Sequence, residues 1–157
     1  MQTPDPSFEK LLESFLALAG HNPGEAAGST GFEFECGAHN VAVFPAGDSR
    51  LVVEAEAAVL LPAEAANAAL LMAIHRLNEA ARAEHGWVAT IDGGDRVLVS
   101  KVLPLHGTDA VALQDAVTTA LTLAGSLAGL VAHAAGSEAT PSGEETQAPQ
   151  PPPGTFA

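Results

Sequence analysis

Basic residues are scarce in this chain: six Lys and Arg stand against nineteen Asp and Glu, a formal charge of −13. An excess of that size repels phosphate backbones and anionic headgroups, which excludes nucleic acid and membrane surfaces and favours basic or polar partners. Cysteine is nearly absent. Cys36 alone forbids an internal disulfide, which fits a reducing cytoplasm. Tyrosine is missing, tryptophan occurs once, and aromatics make up 4% of the chain, while alanine inflates the 47% apolar share. The core expected is therefore one of Leu, Val and Ala with few large anchors. No apolar run reaches the roughly 18 residues that span a bilayer. Met1 to Pro6 carries neither a basic residue nor the apolar centre of a signal peptide. At 157 residues the chain is one domain's worth, enough to bury about two-thirds of its unfolded surface.

What is present is a regular succession of patterns. Asp5-Pro6 is a helix start, and Phe8, Leu11, Leu12, Phe15, Leu16 and Ala19 follow one helical face up to Gly20. The Gly-, Ala- and Ser-rich stretch from His21 to Gly31 reads as a loop. Phe32, Phe34 and Cys36 alternate with Glu33 and Glu35, Val41, Val43 and Phe44 follow a turn, and Leu51, Val53, Ala55, Ala57, Val59 and Leu61 run at period two. Pro62 breaks that strand. Ala63 to about Glu84 reads as a helix with a stripe of Ala66, Leu70, Ile74, Leu77 and Ala81, widened by Leu71 and Met72. Trp87–Ile91 and Arg96–Leu105 are strands joined across Asp92-Gly93-Gly94-Asp95, a two-residue hairpin signal in which Gly supplies the positive φ. Thr108 or Asp109 caps a last helix to about His133, striped by Leu113, Val117, Ala120, Leu121, Ala124, Leu127 and Val131. The order is α-β-β-β-α-β-β-α, an α+β domain with a twisted antiparallel sheet flanked by helices. It occupies residues 1–135. Residues 136–157, rich in Pro, Ser, Gln and Glu, are expected to form a disordered tail.

The residues that carry chemistry elsewhere do not assemble a catalytic set here. His75 and Glu79 are spaced for one helix face, but two ligands do not close a zinc site and no HExxH pattern accompanies them. Cys36 and His39 lack the oriented base that a thiol nucleophile needs, so Cys36 is expected as a small apolar residue on the strand's inner face. Asp92–Asp95 lacks the oxygen-ligand spacing of a calcium loop. Glu33, Glu35, Glu54 and Glu56 would share one acidic sheet face, without a signal that burial raises one of them for acid–base work. The feature left over is an apolar surplus on the first and middle helices, together with sheet edges able to accept an extended peptide as an added strand.

The element order, the acidity and the segment from Leu70 to Leu105 resemble the class I type III secretion chaperones, the CesT-like or Tir chaperone family. In that segment a Leu-rich helix ending in Leu77-Asn78 runs through a Gly and a short strand to an acidic Gly turn and a strand closing on Leu103-Pro104-Leu105. The resemblance implies a homodimer in the bacterial cytoplasm that uses neither cofactor nor ATP. Its partner would be the extended, non-globular N-terminal segment of a secreted effector, which it keeps soluble and competent for secretion. An ATPase of the secretion apparatus is a further candidate partner. Carried onto this chain, Phe8, Leu11, Leu12, Phe15, Phe32, Phe34, Val43 and Phe44 would line effector grooves, and Leu70, Ile74, Leu77, Trp87, Val88 and Ile91 would form the dimer interface. Two other readings stay open at this point: an α+β adaptor that binds a folded protein, and a small enzyme using Cys36 or His75.

Overall fold

The longest alternation in the sequence becomes the centre of a sheet. In the computed structural model, which describes residues 6–28, 30–47, 49–60, 68–93 and 95–137, β3 (Arg50–Val59) is flanked by β2 (His39–Pro45) and β5 (Arg96–Pro104). β1 (Phe32–Cys36) and β4 (Val88–Ile91) form the two edges, giving the order β1-β2-β3-β5-β4 with antiparallel pairing throughout. The expected cap Asp5, Leu61, Pro62, the start of the middle helix at Ala63–Ala66, Gly94, the side chain of Ala81 and the tail beyond residue 137 lie outside the described residues.

One side of this sheet is covered. Leu51, Val53, Ala55 and Ala57 of β3, Val41 and Val43 of β2, Val97 and Val99 of β5 and Ala89 of β4 all face it and are buried. The period-two pattern expected through Leu61 breaks at a bulge. Glu56 pairs with Leu98 and Ala58 with Val97, so Ala57 is one residue too many. The extra residue reverses the phase: Val59, expected inside, is 62% exposed, and Leu60, expected outside, is buried. The imidazole of His39 donates from Nδ1 to the Glu56 carbonyl at 3.0 Å, since a carbonyl oxygen can only accept, and so ties β2 to the bulge.

Three α-helices close the core: α1 (Pro6–Leu18), α2 (Ala68–His85) and α3 (Ala110–Ser137). α1 buries Phe8, Leu11, Leu12, Phe15 and Leu16 as its spacing requires, whereas Ala19 lies past its end and is exposed. Gly20, at φ 79°, takes the left-handed conformation that a side chain would resist, and the His21 and Gly20 amides return to the Leu16 and Ala17 carbonyls at 2.8 and 3.2 Å. The stretch expected as plain loop contains a 3₁₀ turn, Pro23–Ala26, capped by Asn22 and anchored by the buried Ala26. Glu9 of α1 reaches it by accepting the Gly28 N–H at 3.2 Å.

α3 starts where Asp109 accepts the Ala112 N–H at 2.8 Å and runs to Ser137, beyond the expected end near His133. Its buried stripe of Leu113, Ala116, Val117, Ala120, Ala124, Leu127 and Val131 seals the sheet and leaves Leu121 half-buried. Ala110–Ala134 is long and apolar enough to cross a membrane by length and composition. The sequence expectation differed because Gln114, Asp115 and four threonines and serines interrupt any unbroken apolar run, while the average over the helix stays apolar. Its buried stripe packs into the core beneath the sheet.

The hairpin between β4 and β5 also departs from expectation. Asp92 donates its N–H to the Arg96 carbonyl at 3.0 Å and accepts the Asp95 N–H at 3.1 Å, so the loop has three residues, not two. Asp95, at φ 57°, takes the left-handed position. This is a turn followed by a left-handed residue, the usual three-residue hairpin geometry.

Leu12→Ala, at a site with no exposed surface, should cost about 2–5 kcal/mol. Asp109→Ala should cost about 1 kcal/mol through its lost cap. Both are read as shifts of the urea midpoint at unchanged m-value and fixed protein concentration.

Candidate functional site

Three surfaces carry residues that the core does not consume. The first is the β1 edge. Phe15 of α1, Phe34 and Phe32 form a ladder of tilted rings with centroids 6.1 and 5.9 Å apart. The ladder begins in the core and ends half-exposed at the sheet margin. Phe44 lies on the opposite face of β2, against Gly31, where an added Cβ would sit 3.1 Å from the Phe44 Cβ. A shallow cleft of about 470 Å³ runs between Phe32, Glu33, Ala42 and Phe44.

Of the eight residues expected to line effector grooves, the structure therefore leaves Phe32, Phe34 and Phe44 half-buried and within reach of a partner. It places Phe8, Leu11, Leu12, Phe15 and Val43 in the core, each no more than 8% exposed. The periodicity that marks a groove is the same periodicity that marks a core face. Cys36, expected inside, follows the alternation of Phe32 and Phe34 but ends β1 at its turn into β2, and is exposed.

The second surface is the uncovered face of the sheet. Glu33 pairs with Ala42, Ala42 with Glu54 and Glu54 with Ser100, so the carboxylates of β1 and β3 share this face with β2 between them. Together Glu33, Glu35, Glu54, Glu56, Arg96 and Leu98 line a cleft of about 380 Å³. Leu98 is 7% exposed yet stands apart from the main core, so it forms an apolar floor between acidic walls. Arg96 bonds Asp92 through Nη2 at 2.6 Å and Nε at 2.8 Å, and approaches Glu56 at 3.8 Å. The Asp92 hydrogen bond and charge hold this guanidinium still more firmly protonated. Burial raises the Glu54 carboxyl above its ordinary range, with Asp92 and Glu33 adding to the shift and Arg96 opposing it.

The third surface is the corner made by α2 and β4. Leu70, Ile74 and Trp87 are buried within the protomer, and Leu77, Val88 and Ile91 are half-buried. The Lys101 ammonium lies 5.6 Å from the Trp87 ring, within cation–π range. Of the six residues expected at a dimer interface, Leu70, Ile74, Trp87, Leu77 and Ile91 pack in or against the core, whereas Val88 pairs with Ser100 on the uncovered face. What α2 turns outward is Leu71 and Met72, at 46% and 52% exposure. Both are visible in the sequence as the widening of the helix's apolar face. His75 and Glu79 lie 3.6 Å apart beside them, both well exposed. Among the described residues no group of three or more His, Cys, Asp or Glu could hold a metal ion.

Comparison with known proteins assigns the fold. The model of the Tir chaperone protein (CesT) family matches residues 10–128, from α1 through all five strands into α3. The chain belongs to this family. Solved structures share its architecture at low identity. A chain of the complex between the Yersinia pestis type III secretion chaperone SycH and a stable fragment of YscM2 is 21% identical, with TM-score 0.63 over 76% of this chain and 98% of its own. A chain of the HopA1–SchA chaperone–effector complex is 12% identical, with TM-score 0.62 over 78% and 94%. A chain of the heterodimeric ExoU–SpcU complex from the type III secretion system of Pseudomonas aeruginosa is 10% identical, with TM-score 0.60 over 76% and 96%. No curated protein matches the sequence at a significant level.

The half-buried Glu54 gives a test of the acidic face. A carboxyl whose folded pKa is raised stabilises the fold while protonated, and that contribution is lost as pH rises through the folded value. Glu54→Gln should therefore unfold at higher urea than the wild type at pH 7. The gain should vanish below the ordinary carboxylate value of about 4, in parallel urea titrations.

Proposed function

We propose that this CesT-family protein is a homodimeric chaperone of type III secretion, acting in the bacterial cytoplasm. It binds an extended, non-globular N-terminal segment of a secreted effector, keeps it soluble and competent for export, and consumes no ATP. The observation that carries this reading is the family match over every strand of the sheet. Support comes from similar structures solved as complexes, among them a type III secretion chaperone with a stable fragment of YscM2 and a chaperone–effector pair.

The surfaces of the protomer suit that task. Phe32, Phe34 and Phe44 offer apolar footholds on both sides of an edge strand, each worth roughly 1.5–3 kcal/mol if a client fully buries it. Backbone groups along β1 offer the hydrogen bonds that an extended polypeptide lacks. The acidic cleft beside them attracts Lys and Arg of the client and speeds encounter, so its contribution weakens with added salt. The α2–β4 corner, with Leu71 and Met72 turned outward, is the surface that a second copy covers.

Size-exclusion chromatography with light scattering should give a dimer without added cofactor, and Met72→Asp should shift it toward monomer. A wild type that stays monomeric at micromolar concentration would rule out the dimer. Co-expression with an effector should recover two copies of this chain bound to the effector's N-terminal region. Phe32→Ala and Phe34→Ala should each weaken that complex about tenfold or more, and unchanged affinity in both would remove the β1 edge from the binding site.

A further inference from the structure

The two edges of the sheet are not equivalent. Among the described residues, no side chain bonds the backbone of Phe32–Cys36, so β1 presents an ordinary edge. β4 does not. Asn78 of α2 accepts the Ala89 N–H on Oδ1 at 2.6 Å and donates from Nδ2 to the Ala89 carbonyl at 2.8 Å. A carboxamide offers the same donor and acceptor as a peptide group, so this side chain fills the place where one residue of an added strand would bond.

The phase of the hairpin identifies that place. Asp92 donates to the Arg96 carbonyl, so even-numbered residues of β4 face β5 and odd-numbered ones face outward, the alternation of an antiparallel pair. Ala89 pairs with Val99 in the sheet while its amide and carbonyl point to the edge, where Asn78 meets both. β4 is only four residues long, Val88–Ile91, so occupation of Ala89 removes the centre of its hydrogen-bonding edge. Short, blocked edges are the devices by which sheets avoid unwanted strand pairing.

We propose that Asn78 is a positioning residue that closes the β4 edge to extended polypeptide, so that strand addition to this sheet occurs at β1 alone. Copies of the chain then meet at the α2–β4 corner through side chains and do not continue one sheet into the other. The assignment of β1 as the client's edge rests on the chaperone reading above. The closure of β4 does not, because it is a property of the free protein.

The test is hydrogen exchange on the free full-length protein, followed by light scattering over a concentration series. Wild-type Ala89 should be protected although its N–H points away from β5. Asn78→Ala should accelerate Ala89 exchange about threefold to tenfold, the range expected for one lost hydrogen bond, with Val88 and Thr90 little changed. The same variant should also associate beyond the wild-type assembly as concentration rises. Asn78→Asp keeps the acceptor and loses the donor, so Ala89 protection should survive in it. Unprotected Ala89 in the wild type would overturn the proposal. So would uniform acceleration across β4 and β5 in Asn78→Ala without added association, which is the signature of plain destabilisation. Failure of the wild type to bind an effector would count against the chaperone reading and leave these readouts standing.

Discussion

The structure depends on one asymmetry: a five-stranded antiparallel sheet whose helices all serve the same face. Burying that face beneath α1 and α3 removes most of the chain's large apolar side chains from water, which is the main favourable term in folding. It also fixes register, since a slip of one residue would turn Leu51, Val53 and Ala55 outward and bring Glu54 and Glu56 into the core. The opposite face is left to carboxylates, with Leu98 and Val102 among them. Two of the candidate surfaces follow from that arrangement: an acidic open face, and edges whose treatment differs from one side to the other.

Much of this was legible in the sequence because two periodicities dominate it. The α1 stripe, the β3 alternation and the α3 stripe each bury nearly the residues that their spacing singles out. The failures have local physical causes. A bulge adds one residue at Ala57 and reverses the phase for Val59 and Leu60, and no side-chain pattern signals an extra backbone residue. A hairpin rich in glycine places an aspartate in the left-handed position. Cys36 alternates correctly but ends the edge strand at its turn, where it stays exposed.

The candidate surfaces were harder to read for a deeper reason. An apolar residue that waits for a partner and one that packs at home obey the same spacing, so Leu70 and Leu71 are told apart by the fold and not by the sequence. Phe15, Phe34 and Phe32 belong to one ladder, yet only its outer members keep exposed surface. Asn78 stood in the sequence as part of the Leu77-Asn78 motif without a role of its own, because a polar residue on a helix is ordinary until a strand edge is found beneath it.

The Trp87 corner has a spectroscopic consequence. With one tryptophan and no tyrosine in the chain, intrinsic fluorescence excited at the red edge comes from a single indole, buried just before β4 with a lysine ammonium of β5 over its ring. Emission therefore reports one corner of the molecule and is blind to the β1 edge. Circular dichroism averages over every helix and strand. Agreement between the two signals on unfolding would mean that the corner and the body of the fold come apart together. Divergence would mean that the corner is a separate cooperative unit.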